Sequence, residues 1–267
     1  MQSSVIDRNN VRLLGQGSQT LIFAHGFGSD QTAWRHQVKA FESDYRIVLF
    51  DHVGAGHSDM KAYSPLRYSS LYSYAEDLLE LCAELKLSQP ILVGHSVSGM
   101  VSLLAALMAP DRFKQLIFLG ASPRYLNDPT TGYIGGFEQT DLDDLYTAMS
   151  SNYYAWVSGF APIAMANLDR PELSREFAST LSAIRPDIAQ AVARVIFQSD
   201  HRAELPKLTV PTVILQSSND IAVPPEAGQY MADKIPQSRL ISIPAQGHLP
   251  HLSAPDVVTQ TLRECLV

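Results

Sequence analysis

Pro90 to Ala109, PILVGHSVSGMVSLLAALMA, is the stretch that decides the fold. Ile91, Leu92 and Val93 make a short continuous apolar run, the pattern of a strand buried on both faces. Gly94-His95-Ser96-Val97-Ser98 follows at once, and from Gly99 apolar residues crowd a helical pattern that stops at Pro110. Strand, sharp turn and helix is the setting in which a G-x-S-x-G pattern lifts a serine hydroxyl out of a sheet as a nucleophile. Small residues must flank that serine, because the turn strains its central backbone and the helix packs close behind. Ser98 departs from the pattern, standing where the last glycine usually is; serine is small enough for the turn, and Gly99 is next to it. A plainer reading, a serine in a loop between a core strand and a helix, fits the same residues. The rest of the chain discriminates between the two.

Upstream, Val11 to Leu14 and Leu21 to Ala24 read as strands around the turn Gly15-Gln16-Gly17-Ser18, and His25-Gly26-Phe27-Gly28 follows the second. Thr32 to Phe41 reads as a helix, and Tyr45 to Phe50 as a buried strand ending in the glycine-rich loop Asp51 to Ser58. Leu71 to Leu87 is amphipathic, with apolar residues at 71, 75, 78, 79, 82 and 85. Leu116 to Leu119 is the next strand. From Tyr125 to about Ser199 the patterns are helical, with apolar faces that begin at Leu142, Tyr153, Leu173 and Ile188 and boundaries expected at Pro162, Pro171 and Pro186. Pro211 to Gln216 resumes the sheet pattern, followed by a helix over Pro225 to Lys234, a strand over Leu240 to Ile243 and a helix over Pro255 to Leu266. Alternating strands and helices imply an α/β domain with a mostly parallel sheet covered on both faces. The expected division is a core of residues 1–124 and 200–267, with residues 125–199 inserted as a four-helix lid. Such a lid covers the C-terminal edge of the strands, where open α/β sheets bind ligands.

A serine hydroxyl is a weak nucleophile until a base takes its proton, and the base needs a third group to fix its tautomer. After an elbow of this kind the chain order is serine, acid, histidine. Three histidines follow Ser96: His201 in or just after the helical block, His248 in the turn Ala245-Gln246-Gly247-His248 after the last strand, and His251. His248 is best placed as the base. His251 is the runner-up, stiffened by Pro250, and otherwise reads as a structural hydrogen-bonding group at the start of the last helix. Asp220, in Ser217-Ser218-Asn219-Asp220 just past a strand, is the expected acid, although aspartate there is also a common turn-former or helix cap. Acyl transfer also needs donors for an oxyanion. The backbone N–H groups of Val97 and Phe27 are the candidates. Trp156, Phe160, Phe177 and Phe197 sit on helical stripes that serve either as ordinary core or as the wall of an apolar pocket above Ser96.

With 267 residues, 46% hydrophobic and 18% charged, the chain can bury a large core. Its net charge of -7 carries no basic cluster, which disfavours nucleic acid and anionic membrane surfaces as partners. Cys82 and Cys265 fall in separate expected helices and suggest no disulfide framework, so a reducing compartment suits them. The opening MQSSVIDRNN lacks a signal-peptide pattern and no apolar run is long enough to span a bilayer, so the cytoplasm is the expected location. Asp51 and Ser58 lie in a loop without the lysine of a P-loop, and it reads as structural. No zinc spacing is present, and His248 and His251 make only a weak H-x-x-H signal. No metal or other cofactor is expected.

The chain resembles the small α/β-hydrolase group that contains the bacterial stress-pathway regulator RsbQ and the plant karrikin and strigolactone receptors. HGFGSDQTAW, YRIVLFDHVGAGHSD, VGHSVSGM, ASPRYLNDP, GGFEQTDL, NYYAWVSGFAP, RPDIA, IFQSDHR and GHLPHLSAPD carry the likeness nearly end to end. DHVGAGHSD and SDHR lean toward RsbQ, whereas His25 and Ser98 agree with the plant members. The resemblance implies an α/β-hydrolase fold, Ser96 as nucleophile, His248 as base, Asp220 as acid, and Phe27 and Val97 at the oxyanion. It also implies a pocket lined by Tyr125, Leu145, Trp156, Phe160, Phe177 and Phe197. The expected activity is slow hydrolysis of small, apolar, butenolide-like esters or lactones. The alternative is a ligand-sensing module that signals through a partner protein, with catalysis secondary.

Overall fold

The computed structural model describes residues 4–266, so the first three residues of the segment read for a signal lie outside it. In chain order the elements are α1 (Val5–Arg8), β1 (Arg12–Leu14), β2 (Thr20–Ala24), α2 (Arg35–Phe41), β3 (Arg46–Leu49), α3 (Leu71–Glu84), β4 (Ile91–His95), α4 (Val97–Met108) and β5 (Gln115–Leu119). Four consecutive helices follow: α5 (Gln139–Ser151), α6 (Tyr153–Met165), α7 (Pro171–Ala183) and α8 (Pro186–Phe197). β6 (Thr212–Asn219), α9 (Pro225–Lys234), β7 (Ser238–Gln246), α10 (Pro250–Ser253) and α11 (Pro255–Cys265) complete the described chain.

The strands form a seven-stranded sheet in the order β1-β3-β2-β4-β5-β6-β7. Only β1 runs antiparallel, against β3; β2 through β7 are parallel to their neighbours. β2, β4 and β5 are buried at every position, as parallel strands must be when helices cover both faces. One apolar layer gathers Ile22, Leu92, Phe118 and Ile214 with α3, α4 and the four-helix insertion. The opposite layer gathers Phe23, Val93, Ile117 and Leu215 with Trp34, Phe41 and α11.

The sequence boundaries hold to within a few residues, with two informative differences. Pro162 lies inside α6 rather than at a boundary. It removes one N–H and leaves the helix otherwise continuous. Pro171 and Pro186 do start α7 and α8, where a missing N–H costs nothing. The stretch before α5, which carries no strand pattern, contains isolated bridges pairing Leu126 with Phe137 and Asp128 with Tyr133. Arg202 fastens it through Asp128, at 2.9 Å. No helix among the described residues is long and apolar enough to cross a membrane.

Candidate active site

Ser96 occupies the turn between β4 and α4 with φ 55 and ψ -123, a strained conformation for a residue with a side chain. The helix pays that cost back by packing tightly behind the turn: a Cβ on Gly99 would collide with the Cβ of Ala121. Ser98, in the place of the usual glycine, is fully buried. Its hydroxyl donates to the carbonyl of His25, and it receives the Nε2–H of His52 at 2.7 Å. The backbone N–H of His52 in turn donates to His25 Nε2 at 3.0 Å. Thus the extra side chain ties the elbow to the loop after β2 and the loop after β3. His52 braces the elbow, while its neighbour Asp51 accepts from the backbone N–H groups of Gln31 and His57 and from the Asn10 amide.

The chemical groups meet at the C-terminal edge of the sheet. Ser96 Oγ lies 2.8 Å from His248 Nε2. His248 Nδ1 lies 2.9 Å from Asp220 Oδ2 and 3.1 Å from Oδ1. With Nδ1–H donating to the carboxylate, Nε2 is left as the acceptor for the serine proton. Asp220 follows β6, and its Oδ1 also accepts the N–H groups of Ala222 and Val223 at 2.9 and 3.1 Å. It is therefore a turn-former and the partner of the imidazole at once. Burial pushes the Asp220 carboxyl up, but the imidazole and the hydrogen bonds outweigh this and hold it below the usual carboxylate range.

His248 sits just beyond Gly247, whose φ of 85 favours glycine and whose Cβ would strike the carbonyl of Met165. Two groups fix the backbone of His248. Its carbonyl accepts from His95 Nε2 at 2.7 Å, and its N–H donates to the carbonyl of Ala164 in the last turn of α6 at 2.8 Å. Burial, and then the neighbouring His248, lower the His95 pKa to about 3, so its ring is neutral. His251 makes no ring hydrogen bond; it is fully buried, stacked on Trp34 at 4.5 Å. His201 lies edge-on to Tyr72.

Val97 is the first residue of α4, so its N–H belongs to the unpaired donors of a helix start. Phe27 follows β2 in a turn closed by the Ser29 N–H on the Gly26 carbonyl. Both residues line one cavity beside the elbow. Of the expected pocket residues, Tyr125 comes closest to the chemistry: its Oη is 3.3 Å from Ser96 Oγ. Tyr125 contacts Phe197 edge-on at 5.0 Å, and Phe197 contacts Phe137 at 5.8 Å. Trp156 stacks on Phe160 at 5.0 Å, and Phe160 reaches Phe177 at 6.3 Å. Leu145 is partly buried against the same core. The hydroxyl contact of Tyr125 and the bracing by His52 and His95 have no counterpart in the sequence pattern. Nothing in the sequence period signals them, because each crosses between loops.

Residues 19–255 match the family described as the alpha/beta hydrolase fold. The chain is 45% identical to the karrikin insensitive 2 receptor CA of Petunia hybrida, over 97% of this chain and 95% of that one. It is 41% identical to the strigolactone esterase RMS3 of Pisum sativum, over 100% and 99% of the two chains. A hydrolase structure from Oleispira antarctica superposes with a TM-score of 0.94 at 37% identity, covering 98% of this chain and 95% of that one. With a strained serine between β4 and α4, a histidine after β7 and an aspartate after β6, the chain belongs to the α/β-hydrolase fold family.

Proposed function

We propose that the protein is a serine hydrolase of small esters or lactones, with Ser96, His248 and Asp220 as its catalytic residues. The observation that carries this is the unbroken chain from Ser96 Oγ to His248 Nε2, at 2.8 Å, and from Nδ1 to Asp220 Oδ2, at 2.9 Å. His248 Nε2 takes the serine proton as Oγ bonds to the substrate carbonyl carbon. The oxyanion that forms is held by the N–H groups of Val97 and Phe27. Collapse breaks the bond to the alcohol oxygen, which leaves with the proton from Nε2–H. Water then attacks the acyl carbon, giving its proton to Nε2, and the acid departs as Ser96 recovers its own. In a lactone the two products stay joined as one hydroxy acid. Residues 125–199 serve as the lid, with Tyr125, Leu145, Trp156, Phe160, Phe177 and Phe197 around an apolar ligand. Relatives named as a strigolactone esterase and a karrikin insensitive 2 receptor support small, butenolide-like ligands. The two free, buried thiols support a reducing, cytoplasmic setting.

Hydrolysis of a short-chain nitrophenyl ester, wild type against Ser96→Ala, tests the activity. Loss of a triad serine lowers kcat on the order of a million-fold, and intact-mass spectra of the wild type should carry an acyl group on Ser96. Equal rates would end the reading. A second reading, signalling through a partner, is supported by the bond from His248 N–H to the Ala164 carbonyl in α6. The base cannot shift without pulling on the lid, so ligand occupancy can favour one lid arrangement. Hydrogen exchange over residues 153–170, with and without a slowly hydrolysed butenolide, reads that coupling; identical protection would remove it.

A further inference from the structure

One buried ring touches three parts of the catalytic arrangement. His95 is the last residue of β4, fully buried and joined through its backbone to Ser96. Its Nε2 lies 2.7 Å from the carbonyl of His248. A carbonyl can only accept, so Nε2 carries the ring's proton. Nδ1 is then an acceptor, and it is buried with no hydrogen-bond partner among the described residues. The edge of the ring that bears Nδ1 lies against Gly26: a Cβ on that glycine would stand 2.5 Å from Nδ1 and 3.1 Å from the Cβ of Ser96. Gly26 immediately precedes Phe27, the source of one oxyanion donor. His251 packs on the His95 ring at 4.5 Å and is itself stacked on Trp34 at 4.5 Å, while the His248 ring lies 5.0 Å from it. The ring is wedged among these groups and has little freedom to turn.

We propose that His95 is a positioning residue for the hydrolysis, setting His248 against Ser96 through the His248 carbonyl and setting the Phe27 loop through Gly26. The inference rests on the serine-hydrolase reading above and deepens it. His95 exchanges no proton in the reaction; it acts by fixing where the base stands. Gly247, at φ 85, places a glycine directly before His248, where the backbone has most freedom. Two main-chain hydrogen bonds hold His248 itself. One runs to the lid, from its N–H to the Ala164 carbonyl, and the other runs to the core, from His95 Nε2–H to its own carbonyl. Without His95 the lid alone of these two would place the base, and lid movement would carry the imidazole away from Ser96. A misplacement of about 1 Å in such a site costs on the order of a hundredfold in rate.

The test compares single-turnover acylation by nitrophenyl acetate in wild type, His95→Phe, His95→Gln and His95→Asn, each checked for folding by urea unfolding. Phenylalanine keeps a flat ring and removes the donor. Glutamine puts an amide N–H at the reach of Nε2, and asparagine carries the same amide one carbon short. His95→Phe should acylate about a hundredfold more slowly with half-saturation within about twofold of wild type, the split expected of a displaced base rather than of weakened binding. His95→Gln should recover to within about fivefold of wild type, and His95→Asn should stay near the Phe variant. The His248 Nδ1–H resonance, read by NMR without substrate, should shift or broaden in the Phe and Asn variants and return in the Gln variant. Hydrolysis that survives Ser96→Ala removes the hydrolase reading and leaves that resonance to judge whether His95 places the ring. A folded His95→Phe variant with wild-type acylation and an unmoved resonance overturns the proposal. Should the Phe variant fail to fold, equal rates in the Gln and Asn variants overturn it.

Discussion

Replacing Asp220 by asparagine separates a working base from a merely present one. Oδ1 of Asp220 accepts two backbone N–H groups, from Ala222 and Val223, at 2.9 and 3.1 Å. In the asparagine variant only the amide oxygen can accept those two donors, so the amide nitrogen is forced toward His248 Nδ1. An N–H pointing at Nδ1 requires that ring nitrogen to be the acceptor, which puts the imidazole proton on Nε2. Nε2–H then donates to Ser96 instead of accepting its proton, and the ring is a base no longer. The same exchange in a triad of known tautomer costs about 10⁴ in kcat, or roughly 5.5 kcal/mol of barrier. Losing one hydrogen bond to a charged group would cost only about 1.5–3 kcal/mol, so the two accounts differ by a factor of roughly sixty to several hundred. The assay is the pre-steady-state acylation rate with a nitrophenyl ester, beside the imidazole proton shifts by NMR. A loss of less than about a hundredfold, or a ring proton still on Nδ1, would refute the tautomer argument.

Two further outcomes are expected. His52, His95 and His251 are buried with pKa values lowered by burial first and by neighbouring histidines next, His95 to about 3. Above the unfolded value of about 6.5 neither state binds these protons; as pH falls below it the unfolded chain takes protons that the folded chain refuses, so stability declines until the folded values are reached. Each group contributes up to about 1.4 kcal/mol per pH unit, and His251→Leu should flatten the slope of urea-measured stability between pH 6 and 4 by about that much. An unchanged slope would mean that His251 is charged in the folded protein. Separately, Ser98→Gly restores the commoner elbow residue yet should destabilise by about 1–3 kcal/mol, because the His25 carbonyl and His52 Nε2–H lose their partner. A stability equal to wild type in urea unfolding would show that the brace is dispensable.

Much of the fold was legible because its signals are local. Ile91 to Val93 is apolar throughout because β4 is buried on both faces, and Pro171 and Pro186 mark helix starts because an N–H is surplus there. Asp220 and His248 stand out by position, one residue past β6 and two residues past β7 of the same sheet. What escaped notice is relational. Pro162 looks like a helix end until α6 is seen to run through it. His251 reads as a runner-up base or a hydrogen-bonding group, and its burial against Trp34 needs a partner distant in sequence. His52 sat in a loop read as structural, and only the packing reveals that it joins Ser98 and His25.

The order of the strands also governs when this protein can become active as it is made. β5 and β6 lie side by side, yet the ribosome must deliver all four inserted helices between them. Ser96 and its base are 152 residues apart in sequence. A nascent chain that has already folded β1 through β5 holds its strained serine without a proton acceptor, and closing so long a loop is a slow step. A chain translated only through β5 therefore carries Ser96 but not His248, which arrives after β6 and β7.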